Sequence, residues 1–310
     1  MIQATGTGKY ERLLERCKSL EPIPTAVAHP CEATALSGAV EAANLGLITP
    51  ILVGPIEKIA KTAEAAGVDI SRFQIVDSPH SSASAALAVG LLREGKAELL
   101  MKGSLHSDEL LGAVVSREAG MRTGRRISHL FIMDVPTYHK VLLVTDGAIN
   151  IAPTLEDKVD ICQNAIDLAR SLGVERPNVA ILAAVETVTS KMPATIDAAA
   201  LCKMAERGQI TGALLDGPLA FDNAISKEAA QMKGIHSEVA GDADILLAPD
   251  LEAGNILAKQ LSFLANADSA GLVLGARVPI ILTSRADSVR SRIASCAVAA
   301  LAAHARRQKP

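Results

Sequence analysis

The stretch ILTSRADSVRSR, residues 281–292, sets a hydroxyl at Ser284, a guanidinium at Arg285 and a carboxylate at Asp287 directly behind an apolar run. A planar guanidinium grips phosphate through two parallel hydrogen bonds, so a strand delivering Ser284 and Arg285 to a sheet edge makes an anion site. The same residues also read as a serine helix cap beside a surface arginine. Three more places put small and polar residues after apolar runs. KGSLHSDEL offers Lys102, Gly103, Ser104, His106 and Ser107, with Gly103 admitting close backbone approach; a turn with a capping serine or aspartate is the plainer account. Asp216, Gly217 and Pro218 read as a rigid turn, with Asp222 and Asn223 placed to line a cleft, although turn chemistry alone explains them. Gly254 and Asn255 are expected near a helix start with Lys259 one turn later on the same face, where an anion is favoured, or on an ordinary surface.

Several chemistries lose their usual warrant. There is no GxxxxGK[ST], no GxGxxG after the first strand, no GxSxG and no HExxH, which removes the motifs of nucleotide hydrolysis, dinucleotide-dependent hydride transfer, serine hydrolysis and zinc proteolysis. Five scattered cysteines form no CxxC pair and seven histidines no cluster, so neither disulfides nor a metal is expected, and a reducing cytoplasm is. A net charge of −3, with both signs interspersed, gathers neither nucleic acid nor an anionic membrane. The first twenty residues lack an apolar leader core, and no run approaches the ~18 apolar residues of a membrane span.

The elements that must position these groups follow from composition and rhythm. With 310 residues, 49% of them hydrophobic, no Trp, two Tyr and four Phe, the core is built from Ala, Val, Ile and Leu, as in parallel strands covered by Ala-rich helices. Strands are expected at 25–29, 50–54, 73–77, 98–103 and 128–134, then at 140–146, 178–185, 212–216, 244–250 and 278–284, with a short one at 271–275. Helical stretches alternate with them, giving an α/β protein. In open parallel sheets, ligands bind beyond the carboxyl ends of the strands, where the four polar stretches fall.

ELLMKG (98–103), GLITPILVG (46–54), LLDGPLAFDNAIS (214–226), APDLEAGNILAKQL (248–261) and GARVPIILTSRADS (275–288) resemble, in order and over nearly the whole chain, the phosphate acetyltransferase and phosphate butyryltransferase family. The resemblance implies reversible conversion of a short-chain acyl-CoA and inorganic phosphate to an acyl phosphate and CoA, with no cofactor beyond these substrates. It also implies the fold of isocitrate and isopropylmalate dehydrogenases: two αβα domains, 1–128 plus 285–310 and 129–284, with parallel-rich sheets and an interdomain cleft, paired as a homodimer. The family's Ser-Arg motif matches Ser284 and Arg285, and Ser288 closes the matched run. Acetyl-type members carry an aspartate base where this chain has Ser291, and an arginine near Leu111; both departures favour the butyryl-type or a mixed-specificity branch. On this reading Arg285 binds phosphate, Ser284 donates to the reacting carbonyl or leaving sulfur, and Asp287 takes the thiol proton. The opposite wall would come from the Gly103–His106 and Asp216–Asp222 turns. If a helix begins just after Arg285, Asp287 and Ser291 share a face, and Asp287 is either the base or only a cap. The rivals are a metal-dependent decarboxylating dehydrogenase of the same fold using Asp216, Asp222 and Asp250, a non-catalytic acyl-CoA sensor, and an acyl phosphate synthase fed by acyl carrier protein.

Overall fold

The computed structural model describes residues 8–284 and 287–308. The described residues form two compact units, 8–125 with 270–284 and 287–308, and 126–269. The first opens with helix α1 (Lys9–Cys17) and then alternates β1 (Ile23–Ala28), α2 (Ala33–Asn44), β2 (Ile48–Val53), α3 (Ile56–Ala66), β3 (Gln74–Val76), α4 (Ser81–Arg93), β4 (Leu99–Lys102) and α5 (Ser107–Val115). The second holds β5 (Ser128–Asp134), β6 (Leu142–Thr145), α6 (Leu155–Ser171), β7 (Asn178–Leu182), α7 (Pro193–Glu206), β8 (Leu214–Leu219), α8 (Phe221–Ile225), α9 (Lys227–Met232), β9 (Ile245–Leu247) and α10 (Leu251–Leu264). The chain then re-enters the first unit through β10 (Asp268–Leu274), β11 (Ile280–Ile281) and α11 (Val289–Arg307).

Strand order in the first unit is β3-β2-β1-β4-β11-β10, parallel except where β10 meets β11; in the second it is β5-β6-β9-β7-β8, antiparallel only between β5 and β6. The strands therefore form a mixed, mostly parallel α/β framework. Residues 270–284, which the sequence pattern groups with the second block, lie in the first unit because β11 pairs with β4, setting Ile280 beside Leu100 and Ile281 beside Met101.

Each expected strand has a counterpart, several of them shorter than expected, most of all at 278–284, where only Ile280 and Ile281 keep ladder geometry, and at 244–250, where only Ile245–Leu247 do. A local expectation is overturned in β8. Asp216, Gly217 and Pro218 are not a turn but the middle of β8, which runs on to Leu219. β8 lies at the end of its strand order, and an edge strand accommodates a proline because one of its sides needs no N–H. The chain is compressed here, since a Cβ on Gly217 would overlap Ile181.

α11 is buried without interruption from Arg292 to Ala303, the pattern of a helix covered on all sides. Its Ala-rich sequence allows that close packing, and it lies against α2 and α1.

Candidate active site

The first unit gathers its chemistry at the carboxyl ends of β1, β4 and β11. Lys102, the last residue of β4, is buried. Behind it the chain is stapled to the end of β1: Gly103 N–H donates to Ala28 O at 2.9 Å and Ser104 N–H to His29 O at 2.9 Å. Ser104 Oγ donates to His29 O at 2.8 Å and accepts the Cys31 N–H at 3.2 Å. The close approach that Gly103 permits is thus an approach of the chain to itself; a Cβ there would overlap the carbonyl oxygens of Ala28 and His29. His106 is the exposed N-cap residue of α5, where its backbone N–H donates to Glu109 Oε2 at 3.0 Å and Ser81 Oγ donates to Glu109 Oε1 at 2.7 Å.

Ser284, Asp287 and Ser288 meet at the end of β11, while Arg285 lies outside the described residues. α11 starts at Val289, so Asp287 is not on the helix, and its expected alignment with Ser291 on one helical face does not form. Nor does Asp287 cap: Ser288 Oγ accepts the Ser291 N–H at 3.1 Å. Asp287 turns back instead, its Oδ2 accepting the Ser284 N–H at 2.6 Å. Burial holds the Asp287 carboxyl above its ordinary pKa, against the Ser284 N–H, Arg292 and Lys102, which pull it down.

In the second unit the candidates are largely occupied by the fold. Asp216 Oδ1 accepts the N–H of Gly217 at 2.8 Å. Asp222 pairs with Lys233 at 3.1 Å, and Lys233 also holds Glu186 at 2.7 Å. Asp250 is the N-cap of α10, its Oδ1 accepting the Ala253 N–H at 2.8 Å, and Gly254 and Asn255 follow as the fourth and fifth residues of the helix, near its start as expected. Asn255 Nδ2 donates to Gly147 O at 2.8 Å, and Lys259 is exposed. Among the described residues, no group of three or more His, Cys, Asp or Glu is arranged to hold a metal ion.

Two features were missed. His29 and Cys31 follow β1 and share hydrogen bonds with Ser104, and His29 Nδ1 lies 3.0 Å from Ser84 Oγ; inspecting the carboxyl end of β1 as well as the other strands finds them. Arg292 is the second. Its Nη1 donates to Thr283 Oγ1 at 2.6 Å and its Nη2 to Ser284 O at 3.0 Å.

The fold defines an α/β protein whose candidate residues gather largely at strand ends. The sequence profile of the family described as phosphate acetyl/butaryl transferase matches residues 80–300. A phosphate acetyltransferase from Rhizobium meliloti is 64% identical over 299 residues, covering 96% of this chain and 95% of that one. A phosphate butyryltransferase from Clostridium acetobutylicum is 40% identical over 294 residues, 95% and 98% of the two chains. The crystal structure of a branched-chain phosphotransacylase from Enterococcus faecalis V583 superposes with a TM-score of 0.80 at 30% identity, covering 91% of this chain and 99% of that one. The chain belongs to the phosphate acetyl/butyryl transferase family, and it is an acyltransferase.

Proposed function

We propose that this enzyme passes a short acyl group reversibly between coenzyme A and inorganic phosphate, with acetyl as a preferred group. The observation that carries the reading is the family match across residues 80–300. Acetyl is favoured over the butyryl preference suggested by Ser291 and Leu111 because the acetyltransferase relative is 64% identical and the butyryltransferase relative 40%.

In the direction of acyl-CoA formation, Arg285 binds the phosphoryl group and the Ser284 hydroxyl donates to the reacting carbonyl. Asp287 takes the thiol proton as sulfur bonds to the acyl carbon and the carbon–oxygen bond to phosphate breaks. A carboxyl held above its ordinary pKa, yet beside Arg292 and Lys102, is better matched to accept a proton near neutrality than an exposed one. Direct transfer needs orientation and charge compensation rather than a covalent intermediate. The cysteines support that economy: burial pushes the Cys17 thiol up to about 11 and those of Cys162, Cys202 and Cys296 to about 12, and raises Cys31 as well, so none is prepared as a thiolate. No metal or redox cofactor has a part in this scheme. Lys102, Ser104, His106, Asp216, Asp222, Asn255, Lys259 and Ser288 remain the candidate contacts for the substrates.

The same reading takes the two units as the αβα domains of the isocitrate/isopropylmalate dehydrogenase-like fold, the enzyme as a cytoplasmic homodimer, and the second unit as the source of the dimer interface. Ile256, Phe263 and Leu264, exposed on α10 at 57%, 74% and 81%, support the last point. A strictly monomeric sedimentation profile at micromolar concentration contradicts the dimer. The activity is tested by phosphate-dependent thiol release from acetyl-, propionyl-, butyryl- and longer acyl-CoA, without metal or nicotinamide. Release with acetyl-CoA is expected; binding without release leaves the sensor reading in its place.

A further inference from the structure

We propose that Arg292 is a positioning residue for this reaction: from the first turns of α11 it holds Thr283 and Ser284, and through the Ser284 backbone it fixes Asp287, presenting hydroxyl and base in one geometry. The inference rests on the reading of Asp287 as the base.

Within the continuously buried span of α11, from Arg292 to Ala303, Arg292 is the only residue with a formal charge, and it is 3% exposed. A buried guanidinium is costly unless it is paired and hydrogen-bonded, and a methionine or leucine of similar volume would fill the same space without that cost. Its stem fits because α2 is notched at Gly38, where a Cβ would come within 2.8 Å of Arg292 Cδ and 3.0 Å of its Cβ. Both terminal nitrogens are committed to the segment after β11, Nη1 to the Thr283 hydroxyl and Nη2 to the Ser284 carbonyl, while Nε is buried with no hydrogen-bond partner among the described residues.

The Ser284 backbone is thereby fixed from two directions. Its carbonyl accepts from Arg292 at 3.0 Å and from the Asp287 N–H at 3.2 Å, and its N–H donates to the Asp287 carboxylate. The charged and titratable groups around Arg292 are Asp287, Glu32 at the start of α2 and the Cys296 thiol; those acting on Asp287 are Arg292 and Lys102. Removing the Arg292 charge leaves Lys102 as the one cation of that pair still favouring the ionised base.

The test measures kcat and KM against pH for Arg292→Gln and Arg292→Lys, with thermal melts to confirm folding. Arg292→Gln is expected to lower kcat at neutral pH about tenfold with little change in the KM values for phosphate and CoA, and to move the acid limb of the kcat profile upward, so that the deficit narrows as pH rises. Arg292→Lys restores the acid limb but not the full kcat, since an ammonium keeps the charge without the two-pronged grip. A folded Arg292→Gln enzyme whose acid limb stays in place, or whose kcat is near parental, overturns the inference. If that variant does not fold, Arg292→Lys decides: parental kcat shows that the two-point grip is not used and overturns it, whereas reduced kcat with a parental acid limb supports it. Asp287→Asn, assayed alongside, separates the two readings: near-parental activity removes Asp287 as the base, whereas a strong loss beside an unmoved Arg292→Gln profile removes only the role of Arg292.

Discussion

Ser284 and Asp287 hold each other from both sides, the Asp287 carboxylate accepting the Ser284 N–H at 2.6 Å and the Asp287 N–H donating to the Ser284 carbonyl at 3.2 Å. Asp287→Asn keeps a carbonyl oxygen able to accept that N–H but removes the proposed proton acceptor. Folding is expected to survive while turnover at neutral pH falls by about two decades or more, the usual contribution of a general base. The loss shrinks at high pH, where a thiol with an ordinary pKa near ~8.5 ionises unaided. Initial rates of both enzymes across pH check this, and near-parental activity at neutrality sends the search for the base elsewhere.

The same substitution has a stability signature. Asp287 is held above its ordinary pKa in the folded state, chiefly by burial. Between the unfolded and folded pKa values the folded chain binds more protons than the unfolded one, so stability falls as pH rises through that window and stays lower above it. Asp287→Asn should therefore melt higher than the parent at neutral pH, with the difference vanishing at pH well below ~4, where the carboxyl is protonated in both states. Calorimetric melts at the two pH values give the comparison; a variant less stable at neutrality contradicts it.

Gly103→Ala forces a methyl group into the carbonyls of Ala28 and His29 at the staple between β4 and β1. Because the obstruction is backbone, relief requires the strand ends to part, and a loss of about 1–3 kcal/mol is expected, as for overpacked interiors. Urea midpoints at unchanged slope measure it. Ser104→Ala, which gives up the hydroxyl's bonds to His29 O and Cys31 N, should cost less, about 0.5–1.5 kcal/mol for the donated bond.

Arg285→Ala should remove a charge-assisted contact to phosphate worth roughly 1.5–3 kcal/mol, or about one to two decades in phosphate-dependent turnover. Activity within twofold of the parent would take Arg285 out of the site.

Much of the framework was legible because parallel strands buried on both faces must be short apolar runs, and each of these runs formed a strand. What local sequence could not decide was competition between equivalent signals. Ser284, Asp287 and Ser288 are all competent caps, and only packing puts the start of α11 behind Ser288. Pro218 signals a turn in isolation; that β8 is an edge strand is a property of topology. Arg292 looks like a surface charge on an Ala-rich helix, and its burial depends on the space left by Gly38, more than 250 positions earlier in the chain.

The re-entry of the chain into its first unit also has a meaning in time. β11 lies between β4 and β10, and α11 covers α2, so a ribosome that has finished residues 8–125 has delivered a sheet missing two strands and a helix. Those parts emerge only after all of 126–269 has been synthesised. Nascent domains usually fold in order of emergence, but here the earlier unit must wait for the later one to leave the exit tunnel. Ser284, Asp287 and Arg292 are made only after the whole of the second unit, so the proposed site stays open on one side until the chain has returned to its first unit.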